Sequence, residues 1–409
     1  MKSSSVSELD FTLDAKKGCA SRKAGTSSSA SGARERNQGL SNMPFYPDPF
    51  QGFVIEPDSL CAWTDALVRG VGTPGDIAAD VAEILIAADL RGIASHGTAR
   101  LPQYLKLVEA GVMDPAARPV MESGRTALAR FDARNGWGHH AGRVATEAAI
   151  ERAKETGVAI SVLRNANHYG IAGWYAMRVA REGLIGLSMT NTSPVAAPTR
   201  ARVSMIGTNP IAFAALAGRF GMLVLDMATS TVPRGRIEVA QRRGETLPVG
   251  WAIAPDGSPA THPQVALEGS LLPLGGNEET GGYKGYGLAL VVEVLTGVLS
   301  NAAFGPNIVG LFSTAGPSDL GQLFMAIDPG AIDERVAFSA RLERLLNQLT
   351  RAPLIPNAPG PVLYPGQPEA ERAEKQARGG IVIDGEHHDS LVELGQRYGV
   401  AFPAARRRG

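Results

Sequence analysis

The chain is expected to fold as a mixed α/β (α+β) protein with a mixed or antiparallel central sheet and helices supplied by both ends. Three observations predict this. Short β-rich segments at 184–190, 211–215 and 222–225 follow one another across Gly/Pro/Asn turns, without the helix between each pair that a uniformly parallel sheet needs. Apolar residues recur at helical spacing on both sides of that region, at Leu60, Trp63, Leu67 and Val68 and again over 334–349 and 389–398. A chain of 409 residues with 44% hydrophobic content can bury a sizeable core, and its length favours more than one domain.

Taken in order, residues 1–50 read as a disordered extension. Runs such as Ser27-Ser28-Ser29-Ala30-Ser31-Gly32 carry almost no apolar periodicity and cannot offset their ordering entropy. No apolar stretch there resembles a secretory signal, and Glu8, Asp10 and Asp14 argue against a transit peptide. Residues 51–125 form the first part of a helical domain, with a helix over 76–88. Gly70-Val71-Gly72-Thr73-Pro74-Gly75 satisfies G-x-G-x-x-G, but it follows a helix and contains Pro74, so it reads as a helix-connecting loop.

Residues 126–330 form an α/β region. A strand at 127–131 leads through Gly136-Trp137-Gly138-His139-His140-Ala141-Gly142 into a helix at 144–155 and a strand at 158–163. That loop is a better dinucleotide candidate, with Arg164 placed to meet a 2′-phosphate, and the residues alone leave it open. His139 and His140 lack partners at metal-ligand spacing and read as loop residues; no metal site is expected. A helix over 171–181, a strand and turn at 251–259 and a helix at 286–299 follow. Residues 331–409 return to helix, at 334–349, 369–378 and 389–398, and are assigned to the helical domain.

Forty basic and forty acidic residues cancel, which leaves no electrostatic footprint for nucleic acid or an anionic membrane. The apolar run at 287–299 contains Glu293 and is too short to span a bilayer. Cys19 and Cys61 cannot form a disulfide framework and fit a reducing compartment, so a cytoplasmic protein is expected. Arg406-Arg407-Arg408 reads as a solvated end.

The chemistry concentrates in Ser95-His96-Gly97-Thr98-Ala99-Arg100. His96 is the candidate acid/base, since imidazole titrates near neutral pH. If Ser95 caps a helix, Arg100 projects from the same face and its fork can grip a carboxylate, with Gly97 leaving room for a ligand. A helix cap beside a surface ion pair would look the same.

Ser95-His96-Gly97-x-x-Arg100-Leu101-Pro102-x-Tyr104 resembles the signature of the malate and L-lactate dehydrogenase family that lacks a Rossmann fold. Further stretches match in the same order: Asn165-Ala166-Asn167-His168-Tyr169-Gly170, Met189-Thr190-Asn191-Thr192, Ile206-Gly207-Thr208-Asn209-Pro210, Leu225-Asp226-Met227-Ala228-Thr229-Ser230 and Gly282-Tyr283-Lys284-Gly285. The resemblance runs from about Phe53 to the end. It implies a non-Rossmann NAD(P)-binding domain, a homodimer, and hydride transfer between nicotinamide and a small 2-hydroxy or 2-oxo acid. It equally admits reduction of a cyclic imino acid, a ureido or sugar acid, or a relative that has lost its chemistry.

By this resemblance His96 exchanges the substrate proton, Ser95 orients it, Arg100 binds the carboxylate and Thr208 contacts substrate. NAD or NADP would lie along His168, Tyr169, Gly170, Thr190, Asn191, Asp226, Met227, Ala228, Thr229, Tyr283, Lys284 and Gly366. Lys284, in a glycine-rich loop opening a helix, suits a pyrophosphate. His168 is a competing acid/base. Three departures stand out. Gln367 replaces the usual glutamate of a Pro-Gly-Glu-Pro element, and Tyr283 stands where histidine is frequent. Ala197-Pro198 leads into Thr199-Arg200 instead of Trp-Gly-Gly, and Arg200 is expected to be a second carboxylate ligand favouring malate over lactate.

Overall fold

A computed structural model describes residues 52–408; the expectations for residues 1–50 and for Cys19 lie outside them. The chain enters on strand β1 (Gly52–Ile55) and passes into helices α1 (Pro57–Gly70) and α2 (Gly75–Leu90). Glu56 caps α1 by accepting from the Asp58 and Ser59 amides, and the glycine-rich 70–75 segment is the tight connection to α2. Helix α3 (Leu101–Glu109) completes this group. Leu60, Leu67, Ile77, Val81, Leu85 and Tyr104 form one continuous apolar core. Cys61 is buried in it.

The α/β region contains β2 (Val120–Arg125), β3 (Leu128–Asp132), α4 (Gly138–Thr156), β4 (Val158–Ala166), α5 (Ala172–Ala180), β5 (Ile185–Thr190), β6 (Ile211–Leu216) and β7 (Met222–Met227). A small lobe follows, made of α6 (Arg234–Arg243), β8 (Ala252–Ile253), α7 (Pro263–Glu268) and β9 (Ser270–Leu271). Helix α8 (Gly282–Glu293) runs into a π-helical turn (Val294–Val298), and β10 (Leu320–Ile327) returns to the sheet. The seven-stranded order is β2-β3-β4-β10-β5-β6-β7. Only β3 and β4 pair in parallel; every other neighbour is antiparallel. The sheet is therefore mixed, without the successive parallel crossovers of a Rossmann domain.

Helices α4 and α5 cover the sheet. Alanines at 141, 145, 149 and 153 repeat every four residues along α4, and their small side chains let it lie close against the strands. The glycines of 136–142 serve this packing too. A Cβ at Gly138 would lie 2.1 Å from the Asn167 carbonyl oxygen, and one at Gly142 would lie 2.7 Å from the Tyr175 ring.

The last helices divide. Helix α9 (Arg335–Leu349) packs against β6 and the 218–220 turn, so it belongs to the sheet region and not, as expected, to the helical domain. Helices α10 (Gln367–Gly379) and α11 (Gly385–Tyr398), with β11 (Ile381–Ile383) and β12 (Ala405–Arg408), do reach the first helices. Strand β1 lies between β11 and β12, so Arg406, Arg407 and Arg408 form an edge strand, on which Arg406 and Arg407 are exposed. Among the described residues no helix is long and apolar enough to cross a membrane.

Candidate active site

Helix α2 ends at Leu90, and Gly92, at a φ of 76°, reverses the chain into two 3₁₀ turns, Ala94–His96 and Thr98–Arg100. Ser95 therefore caps no helix, and His96 and Arg100 do not share one helical face as expected. They are held by a closed turn instead: Ser95 Oγ lies 2.9 Å from His96 Nδ1, and Arg100 Nε donates to the Ser95 carbonyl at 2.6 Å. Gly97 leaves no room for a ligand either. A Cβ there would sit 1.8 Å from Asp89 Oδ1, so glycine is required by the carboxylate beneath it.

The loop between β4 and α5 brings His168 to this turn, with the His96 and His168 ring centroids 5.4 Å apart. Tyr104 Oη lies 2.6 Å from His168 Nδ1, and the Gly170 N–H approaches the same nitrogen at 3.3 Å. An amide can only donate, so Nδ1 accepts, the Tyr104 hydroxyl donates, and the His168 proton is assigned to Nε2. Burial first, then His96, His139 and Arg100, hold the His168 pKa well below its ordinary value. Burial and then Arg100 bring His96 down to about 4. Both imidazoles are thus neutral at pH 7.

Arg100 faces the Phe312 ring at 5.2 Å and has no carboxylate partner among the described residues. Its Nε is engaged by Ser95, which leaves the two terminal nitrogens for a carboxylate. Tyr104, present in the motif but given no role, is the residue that sequence reasoning passed over. His139 and His140 are not loop residues: both lie buried in the first turn of α4. His139 meets Tyr104 edge-on at 5.1 Å, and burial takes its pKa to about 3; His140 pairs with Asp80 at 2.7 Å.

A second wall begins at Asp226, near the end of β7. Its Oδ2 accepts from the Gly173 N–H at 2.8 Å, in the first turn of α5 and five residues past His168. Protein crowds this carboxylate while solvent still reaches it, and its pKa is pushed up to about 6 by burial. Met227 and Ala228 follow, half-buried. The Thr229 amide donates to the Thr208 carbonyl, and its own carbonyl accepts from the Leu274 N–H, both at 2.8 Å. A Cβ at Gly285 would lie 2.2 Å from the Leu274 oxygen, so this ladder continues into the start of α8. There Gly281 takes a φ of 95°, no side chain caps the helix, and Lys284 is exposed with no carboxylate partner among the described residues. An open carboxylate suits a ribose diol, and an uncapped helix start with a free ammonium suits a pyrophosphate, so these residues fit a dinucleotide. Tyr283 is exposed beside them, its ring 5.8 Å from Lys284 Nζ.

Several expected contact residues turn inward. Asn191 is fully buried, bonded to Glu293, Ala303 and Gly321. Thr190 and Thr229 donate to backbone carbonyls inside the fold, and Tyr169 stacks on Tyr175 in the core at 4.6 Å. These four side chains make their contacts inside the fold and are covered by it. Thr208 is half-buried, with its hydroxyl 3.4 Å from that of Thr192. Gly170, at a φ of 78°, packs against Ile84 and His139, and Gly366, at 85°, packs against Val224. Gln367 opens α10 and donates to Glu371. Arg164 is consumed by Glu122 and Asp132. Arg200 forks onto Glu278 at 2.9 and 2.6 Å on an exposed loop, so the expected second carboxylate ligand is already paired.

The geometry has close relatives. The family model described as malate/L-lactate dehydrogenase matches residues 55–392. A malate dehydrogenase of Pyrococcus abyssi is 39% identical over 350 residues, covering 85% of this chain and 95% of the relative. An L-sulfolactate dehydrogenase of Methanocaldococcus jannaschii is 35% identical over 352 residues, covering 85% and 98%. The solved malate dehydrogenase of Entamoeba histolytica superposes with a TM-score of 0.83 at 31% identity, over 87% of this chain and all of that one. Relatives include enzymes of both NAD⁺ and NADP⁺. With its mixed sheet and its Ser-His-Gly turn, the chain belongs to the malate/L-lactate dehydrogenase family of NAD(P)-dependent oxidoreductases.

Proposed function

We propose that this chain interconverts a small 2-hydroxy acid and its 2-oxo acid, of the malate type, with His96 carrying the proton and Arg100 holding the carboxylate. One observation carries the reading: an Arg100 fork without a carboxylate partner among the described residues lies beside a neutral His96 whose Nδ1 is engaged by Ser95. A bound nicotinamide supplies or accepts the hydride at the carbon next to the carboxylate. With Nδ1–H donating to Ser95 Oγ, His96 Nε2 is free to take the hydroxyl proton in oxidation and return it in reduction. Proton help of this kind is worth ~10²–10⁴ in rate. His168 Nε2–H, fixed by Tyr104, is a neutral donor for the same oxygen.

A carboxylate on Arg100 cancels the charge that depresses His96, so substrate binding raises the His96 pKa and readies it as an acid for reduction. A homodimer belongs to the same reading. Val291, Val294 and Val298 recur at i, i+3 and i+7 and are exposed along α8 and the π-turn, with Leu288, Leu290 and Leu299 beside them. An apolar stripe of that length suits a second copy of the chain.

The test is loss of reduced-nicotinamide absorbance with NADH or NADPH against oxaloacetate, pyruvate, 2-oxoglutarate, diketogulonate and a cyclic imino acid. Oxaloacetate reduction that falls at least 100-fold in His96→Ala, with cofactor affinity kept, is the expected result. Turnover of the imino acid alone, or of nothing, would overturn it.

A further inference from the structure

The far side of the Ser95–Arg100 turn is held by the C-terminal part of the chain. Thr98 is completely buried, and its Oγ1 touches two groups: Asp89 Oδ2 at 2.7 Å and His387 Nε2 at 3.1 Å. The Thr98 N–H also donates to Asp89 Oδ2, at 3.0 Å. Asp89 Oδ2, which takes the Thr98 N–H, accepts the Thr98 hydroxyl proton as well, and a hydroxyl has only one proton, so Thr98 accepts from His387 Nε2–H. The three side chains form a one-way chain, His387 to Thr98 to Asp89, joining α11 to the end of α2.

The Asp89 carbonyl accepts from Gln376 Nε2 of α10 at 3.0 Å, so both C-terminal helices grip the same point. The Asp89 carboxylate fills the space in front of Gly97, the residue between the turn bearing His96 and the turn bearing Arg100. Any shift of Asp89 or Thr98 therefore moves the imidazole relative to the guanidinium.

We propose that the buried His387–Thr98–Asp89 chain is a positioning device that sets the spacing between His96 and Arg100 and so between proton carrier and carboxylate grip. It touches no substrate; it acts through Gly97 and the backbone of Thr98. The inference rests on the proposed roles of His96 and Arg100. Displacement by about 1 Å, even at a distance from the chemistry, can lower rate ~100-fold.

The test compares Thr98→Val, which keeps the volume and removes the hydroxyl, with Thr98→Ser, which restores it. Thr98→Val is expected to lose ~10- to 100-fold in kcat/KM for the 2-oxo acid through both kcat and KM, while the fluorescence-measured affinity for reduced nicotinamide changes less than twofold. Thr98→Ser is expected to recover to within about threefold. The His96 imidazole resonances, identified by their loss in His96→Ala, should move in Thr98→Val and return in Thr98→Ser. This spectral readout needs no turnover, so a wild-type chain inactive on every 2-oxo acid would overturn the proposed function and leave the positioning device still decided by the spectra. Unmoved His96 resonances in Thr98→Val, or a Thr98→Ser as impaired as Thr98→Val, would overturn the device.

Discussion

His96 and Arg100 constrain each other electrostatically. Arg100 is the second cause, after burial, of a His96 pKa near 4. Removing that cation as Arg100→Gln should let the pKa climb toward the ordinary 6.5. The sign follows directly: His96 must be neutral to accept the hydroxyl proton, so the acid limb of kcat/KM for hydroxy-acid oxidation should move to higher pH. The plateau should fall ~10²–10⁴-fold, since two charge-assisted bonds are lost at roughly 1.5–3 kcal/mol each. The limb can be followed by steady-state rates from pH 4 to 8, or by NMR titration of the His96 ring where turnover is too slow. A limb that stays put would separate the two residues.

The sequence made this pair readable because both members lie within six residues. It could not reveal Tyr104 on His168, 64 positions apart, nor Glu278 on Arg200, 78 apart. Nothing local distinguishes a free arginine from one already paired across the fold.

Between elements, the decisive junction is β7 with α5, where Asp226 meets the Gly173 amide. A helix start favours an anion, yet burial dominates and raises the carboxyl pKa to about 6. The folded state thus binds this proton more tightly than the unfolded chain does. The stability it contributes is fully present below the ordinary value of 3.8 and is lost as pH rises through 6. Asp226→Asn, which cannot ionise, should match the wild-type melting temperature near pH 4 and exceed it above pH 6.

Its affinity for reduced nicotinamide should move the other way and weaken ~10-fold or more, for want of a charged acceptor. Calorimetric melts at several pH values with fluorescence titration check both. A melting difference independent of pH would remove the carboxylate from this role. The strand ending in Asp226 was legible from its apolar run, but its contact with α5 spans 53 residues. The β3–α4–β4 unit shows the converse, because its glycines imitate a dinucleotide fingerprint locally while serving helix-to-loop packing in the fold.

On the scale of the molecule, the chain closes on itself through β1 between β11 and β12, and leaves one long apolar stripe outside. Period reading of 286–299 found a helix but not which side of it stays bare. Leu288, Leu290 and Val291 alternate with buried Ala289, Val292 and Glu293, and only the packed structure sorts them. A stripe of this kind costs solubility unless another surface covers it.

Two copies related by a twofold axis would bury it against itself, so a charge introduced at its centre enters the interface twice. Wild-type protein should sediment at about twice its 42.9 kDa monomer mass at micromolar concentration. Its melting temperature should then rise with concentration, because association stabilises the folded state. Val291→Arg should weaken the dimer by at least ~100-fold, as a buried unpaired charge costs roughly 3–5 kcal/mol. The variant would sediment as a monomer and lose the concentration dependence. A wild-type chain that sediments as a monomer across that range would show that the stripe is covered by something other than a second copy.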